Sequence, residues 1–353
     1  MGAALDAGLL ARVLAEPAIA ADLDAPSWTT LIAMARAELL IATLAFRVEG
    51  QQLPRAVDDI LADAREIGRE ARLAALWEAE MVRRVLVPLG VPMVLLKGTA
   101  FVAGGLSAAQ GRLIGDLDLL VPRDALGTVE ASLREAGWVS VKDDAYDDEY
   151  YRRWMHELPP LVHPDRDRMI DVHHTLLPPT ARITPDAAAL LASAVPLGNG
   201  MAILSPEDMV VHAALHLFAD GDLAGGLRNL WDIDRLLREF AEADRDFWLR
   251  LQARAAEHGA AVPVARAIRL AGQVFATPVP TAFARGRVGD ALFRRRLLAR
   301  DGWGQEVRSV TRFAFYLRSH WIRMPPLLLA RHLGIKAWRR VRPARAGRPP
   351  VPR

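Results

Sequence analysis

Two aspartates two residues apart, Asp116 and Asp118, stand inside "IGDLDLLVPRD" (residues 114–124), one of the most hydrophobic stretches of the chain. An unpaired buried carboxylate is strongly unfavourable, so a strand built only for burial has no use for this pattern. Alternate side chains of a strand share a face, which sets Asp116 and Asp118 on one side and Leu117 and Leu119 on the other. Two carboxylates on one face suit a hard divalent cation, Mg²⁺ or Mn²⁺, held with water and substrate phosphates. A third acid on a neighbouring strand permits two ions, which steady the attacking and leaving oxygens of phosphoryl-type transfer. Asp171 in "MIDVHHTL" is the best candidate, because it too sits mid-strand among apolar residues, with His173 on the same face. The competing reading of Asp116 and Asp118 is a cap or turn pair at a strand end.

Upstream, "LLKGTAF" reads as a strand, a glycine and a helix start, where free backbone N–H groups and the helix dipole favour a phosphate. Lys97 stands just before that turn, one of only three lysines in the chain, and reaches the same phosphate as a point charge. Its alternative is an ordinary surface lysine at a strand end.

The pattern around these residues is α+β: a small mixed sheet flanked by helical regions. Residues 1–90 carry helical periodicity, as in "LIAMARAELLIATLAFRVEG". Residues 91–180 hold the short apolar runs "VPMVLL", "DLDLLVP", "WVSV", "LPPLVHP" and "MIDVHHTLLPP", with a helix over 123–137. The helical pattern returns over 181–335, where "SPEDMVVHAALHLF" opens on Ser205 as cap, Pro206 at the first position and two acids in the first turn. Residues 336–353 form a basic tail.

Strand, small-residue turn, helix, then Asp-x-Asp in a second strand and a lone acid in a later one resembles the nucleotidyltransferase superfamily related to DNA polymerase beta. More narrowly, "LLKGTAF…R…GDLDLLV…H…PLV…IDVHHTLL" is similar to bacterial nucleotidyltransferase-family proteins with LKG in place of the usual glycine-serine turn. The likeness is strongest over residues 91–177. It implies that Asp116, Asp118 and Asp171 ligate metal, that Asp171 helps deprotonate an acceptor hydroxyl, and that Gly98 and Thr99 form the triphosphate-binding turn. It also implies that Arg112 neutralises phosphate charge, and we count Lys97 and His173 with the nucleotide-binding residues. The turn departs from the superfamily pattern in carrying Lys97 ahead of Gly98. A second pair, Gly104 and Gly105, reads as the end of the short helix.

The implied activity is a metal-dependent transfer of a nucleoside monophosphate from a triphosphate, ATP among them, to an unidentified acceptor: protein, RNA or small molecule. A catalytically inactive nucleotide- or protein-binding module is the alternative. The net charge of +3 is owed to the tail, since seven arginines and Lys336 from Arg331 onward leave the rest at −5; there is no strong nucleic-acid signature. The absence of cysteine excludes disulfides and thiolate chemistry. Neither a signal peptide nor a membrane span is expected, and the cytoplasm is the expected location.

Other signals are weaker. His212, His216 and Asp220 have metal spacing, but their apolar setting favours a core role. His156 and His163 flank "ELPPLV", and His156 falls near the site. Asp232 reads as an i,i+3 partner of Arg235. The acidic loop Asp143–Glu149 reads as a solvated loop.

Overall fold

The computed structural model describes residues 6–141, 151–166 and 168–323; the acidic loop and the basic tail fall outside these. Seven strands form one mixed sheet: β1 (Met93–Leu95), β2 (Asp116–Leu120), β3 (Val139–Ser140), β4 (Leu161–His163), β5 (Arg168–His173), β6 (Val195–Pro196) and β7 (Met201–Ile203). Their order is β3-β4-β5-β2-β1-β7-β6. β2 lies at the centre, antiparallel to β1 and parallel to β5, and β7 runs parallel to β1. Helices surround this sheet, so the expected α+β class holds.

The sequence pattern does not show β6 and β7, which fall where the chain reads as helical again. Two and three residues are too few to display a period, and the hairpin between them turns on Gly198 and Gly200, both at positive φ (80° and 89°). Pro196 is tolerated because β6 is an edge strand.

The helix Arg55–Leu86, about 48 Å long at 1.5 Å per residue, lies along the sheet. Its buried residues, Val57, Leu61, Ala64, Gly68, Ala75, Ala79, Val82 and Leu86, fall on one stripe at the three-to-four spacing of an amphipathic helix. Glu78 lies within that stripe. Its charge is met by Arg166 of the β4–β5 turn at 2.9 and 3.2 Å, whose guanidinium also sits over Trp138. Charged groups are buried at acceptable cost only when paired in this way.

The helices on either side of the sheet share one hydrophobic cluster, in which Leu10, Leu14, Trp28, Trp231 and Phe275 are fully buried. Polar ties reinforce it: Arg300 donates to Glu38 at 2.6 Å, and the Ala7 N–H donates to the Leu298 carbonyl. The helix Pro206–Leu215 begins as its sequence demands, with the Ser205 hydroxyl accepting from the Asp208 N–H at 3.2 Å. Among the described residues, no helix is long and apolar enough to cross a membrane.

Gly111 fixes the approach of the N-terminal helices to the segment that precedes β2. Its φ is +67°, and a Cβ there would lie 2.5 Å from the backbone of Ala42 and Thr43. The Thr43 hydroxyl donates to the Gly111 carbonyl at 3.1 Å. Gly50 has a similar conformation (φ +82°) but open space around it. Gly111→Ala is therefore expected to cost about 2–5 kcal/mol, left-handed strain plus overpacking, and Gly50→Ala only about 1–2 kcal/mol. Urea unfolding of the two variants checks this, and equal losses would refute the close-packing account.

Candidate functional site

The register of β2 against β5 builds the site. Asp118 stands directly beside Asp171, and Asp116 beside Met169, in parallel strands. Side-by-side residues of paired strands project to the same face, as do residues two apart. Asp116, Asp118, Asp171 and His173 therefore share one face, and each aspartate offers an oxygen within 4.8 Å of the other two.

Three carboxylates this close repel, and each is accommodated differently. Asp118 is buried, and its Oδ1 accepts from Lys97 Nζ at 2.6 Å and from His173 Nε2 at 3.0 Å. Burial alone would raise its pKa, but Lys97 and His173 outweigh that and hold it far below the usual carboxylate range. Burial likewise works against the charge on Lys97, yet Asp118, with Asp116 and Asp171 behind it, keeps its pKa above the ordinary value. Asp171 has no such cation among the described residues. Burial first, then the charges of Asp118 and Glu157, push it up to about 7. Its Oδ1 is buried without a hydrogen-bond partner among those residues. A divalent cation would satisfy that oxygen and relieve the repulsion, so the donor set fits a hard metal ion.

Lys97 reaches Asp118 from a strained backbone. It is the first residue of the helix Lys97–Ala103 and has φ +47°, a left-handed conformation that side chains other than glycine seldom adopt. The sequence pattern points this lysine at a phosphate; its Nζ lies on an aspartate. At Gly98, a Cβ would come 2.6 Å from Arg112 Nε and 3.0 Å from Ile114 Cγ1, so the glycine makes room for Arg112 to cross the turn. Thr99 is buried in the same helix.

Arg112 does not stand free over the acids. Its guanidinium is ion-paired to Asp232 of the helix Gly226–Ala243 and lies over the Phe101 ring. Asp232 also pairs with Arg228 at 3.1 Å, and Arg228 donates to the Thr43 hydroxyl. Asp232 is therefore not the partner of Arg235, which pairs with Asp234 instead. Beside Lys97 lies a cavity of about 30 Å³, lined by Lys97, Phe101, Arg112, Met209, His212 and Asp232 among others. His212 is buried there, and burial, with Lys97 and His216 nearby, holds its pKa well below the ordinary histidine value.

Glu157 is a member of the site that sequence reasoning missed. It forms a β-bridge opposite His173, and its Oε2 is 3.5 Å from His173 Nδ1. The ring of His156, beside it in sequence, lies 5.2 Å from the His173 ring and is tilted 41° to it. The available signal was "HEL" immediately before the apolar run that becomes β4. His163 stands apart from these groups: its ring packs edge-on against Trp138.

The model of one protein family, described as an uncharacterised nucleotidyltransferase, matches residues 24–276 of this chain. No curated protein matches it.

The raised pKa of Asp171 makes a stability prediction for the metal-free protein. An unfolded aspartate titrates near 4, so the stability associated with this group is present below about pH 4 and is lost as pH rises through about 7. Asp171→Asn removes that loss. Its Tm should exceed the parent's by on the order of 2–4 °C at pH 8, with the gap closing at pH 4 to 5. Scanning calorimetry across this range checks it; a gap that does not vary with pH would contradict the protonation account.

Proposed function

The chain belongs to that nucleotidyltransferase family, and we propose that it is a metal-dependent enzyme moving a nucleoside monophosphate from a triphosphate to an acceptor, with release of pyrophosphate. The observation that carries this reading is the registered pair Asp118–Asp171, joined by Asp116 on the same face. Asp116, Asp118 and Asp171 are the residues that would hold Mg²⁺ or Mn²⁺, which when bound neutralises phosphate charge and fixes the in-line geometry of transfer.

The chain's own groups then divide the remaining work. Asp171 lies beside Asp118 on the same face, where it would help take the proton from an acceptor hydroxyl. Lys97 holds Asp118 ionised and supplies fixed positive charge at the edge of the acids, where a triphosphate would lie. His173 fixes the same carboxylate from the other side. Gly98 and Thr99 set the path of the turn, and Gly98 admits Arg112, whose orientation Asp232 maintains. A phosphate contact at Arg112 would share its guanidinium with Asp232, to which it is ion-paired.

The inactive-module alternative has less support. A fold kept only for binding has no need of three carboxylates in mutual repulsion, one of them with an orphaned buried oxygen. The acceptor is an unidentified group bearing a hydroxyl or phosphate.

Calorimetric titration of ATP, GTP, CTP and UTP with Mg²⁺ tests the proposal. One or more should bind in a magnesium-dependent manner to the parent and not to the Asp116→Ala, Asp118→Ala double variant. Incubation with labelled triphosphate and cell lysate, read by mass spectrometry, should give a molecule that has gained a nucleotide, and Asp171→Asn should lower that yield by about 10²–10⁴-fold. Triphosphate binding indifferent to magnesium and to both aspartates would defeat the reading.

A further inference from the structure

Next to the three aspartates lies a second cluster of different chemistry: His156, Glu157 and His173, whose donor atoms all fall within 4.8 Å of one another. We propose that these three side chains form a separate site for a transition metal of the zinc class. It is distinct from the hard-cation site of the acids and joined to it through the His173 ring.

Ligand type is the first argument. Two imidazoles and one carboxylate suit Zn²⁺ and its neighbours, whereas Mg²⁺ favours all-oxygen surroundings. The spacing agrees. Glu157 Oε2 is 3.7 Å from His156 Nε2 and 3.5 Å from His173 Nδ1, too long for good hydrogen bonds. Ligands about 2.0–2.1 Å from a tetrahedral zinc stand about 3.3 Å apart, so a small shift of either ring closes the coordination shell.

His173 provides the second argument. Its Nε2 lies 3.0 Å from Asp118 Oδ1, a carboxylate oxygen that can only accept from the ring, so this contact makes Nε2 the donor. The other ring nitrogen, Nδ1, faces Glu157 and is the atom a metal would take. A ligating imidazole whose other nitrogen donates to a carboxylate is the usual way a protein fixes tautomer and ring direction at a metal.

Backbone rigidity is the third. The Leu158 N–H donates to the Val172 carbonyl and the His174 N–H to the His156 carbonyl, both at 2.9 Å, on either side of the Glu157–His173 bridge. His156 and His173 are buried at 6% and 2% exposure, and Glu157 is largely buried, so the ligands are preorganised and shielded. Three protein ligands match zinc sites in which water or a substrate atom completes the shell.

Occupation of this site would commit His173 to Nε2 donation and so stiffen Asp118 in the neighbouring cluster. The site itself does not depend on what the acids transfer. Co²⁺, a coloured stand-in for zinc, tests it on the full chain after chelation, with excess Mg²⁺ present to occupy the acids. One equivalent should bind with the visible absorption of a low-coordinate cobalt–imidazole centre and be displaced by Zn²⁺. Glu157→Gln and His156→Ala should each weaken binding by more than about tenfold, whereas Asp116→Asn should retain it. Circular dichroism confirms that each variant is folded, and Glu157→Gln, nearly isosteric, serves if His156→Ala is not. No absorption, or absorption unchanged in Glu157→Gln, would overturn the proposal. So would absorption lost in Asp116→Asn, because the cobalt would then reside among the aspartates.

Discussion

Like charge held at close range is the constraint around which this molecule is arranged. Parallel pairing of β2 with β5 sets Asp118 beside Asp171, and neither strand can slip by one residue without exchanging its buried apolar residues for its acids. The apolar face therefore locks the acidic one in place. Local responses offset that repulsion: Lys97 is drawn onto Asp118, His173 donates to the same oxygen, and Asp171 keeps a proton to near neutrality. The strained backbone of Lys97 belongs to the same response, because a left-handed first residue turns the lysine back over the strand. Strain of this kind persists where the surroundings over-determine it, and here a buried ion pair does so.

The helices do more than cover the sheet. Gly98 lets Arg112 cross the turn, Gly111 lets the chain approach the helix Ile41–Arg47, and Asp232 receives Arg112 from the opposite side. Arg112 and Arg228, both largely buried, share that one aspartate, so each cation of the group has an opposite charge beside it. Removing one member would leave another buried and uncompensated, which is far costlier than removing the whole group.

The α+β class and most strands are legible in the sequence because their cause is local. Short apolar runs closed by glycine or proline mark β1, β2 and β5, and period-two alternation places Asp116 with Asp118 and Asp171 with His173. Which strands are neighbours is not local, and the register of Asp118 against Asp171 appears only when β5 docks against β2. The hairpin β6–β7 is hidden because strands of two and three residues carry no period and glycines break the apolar run around them, "VPLGNGMAI". Glu157 is hidden because a proline pair separates it from the strand it precedes, so it reads as loop. The i,i+3 pairing of Asp232 with Arg235 is reasonable for an isolated helix, but a buried Arg112 from 120 residues away competes better for the carboxylate. A lysine before a glycine turn reads as a phosphate ligand; the sequence does not reveal that, for Lys97, an aspartate across the strand lies closer.

The hydroxyl of Thr43 occupies a junction: it donates to the Gly111 carbonyl and accepts from Arg228. One small side chain of an N-terminal helix thus bridges the segment leading into β2 and a helix that arrives after the sheet is complete. The sheet region is consequently a poor unit for excision. Trimming the N-terminal helices would strip Arg228 of a partner and leave the loop ahead of Asp116 without its backing, so a minimal fragment confined to the strands would forfeit the scaffold that aims its acids. During synthesis, too, the acids emerge well before Arg228 and Asp232, and the cluster can assemble in full only after that later helix has been made.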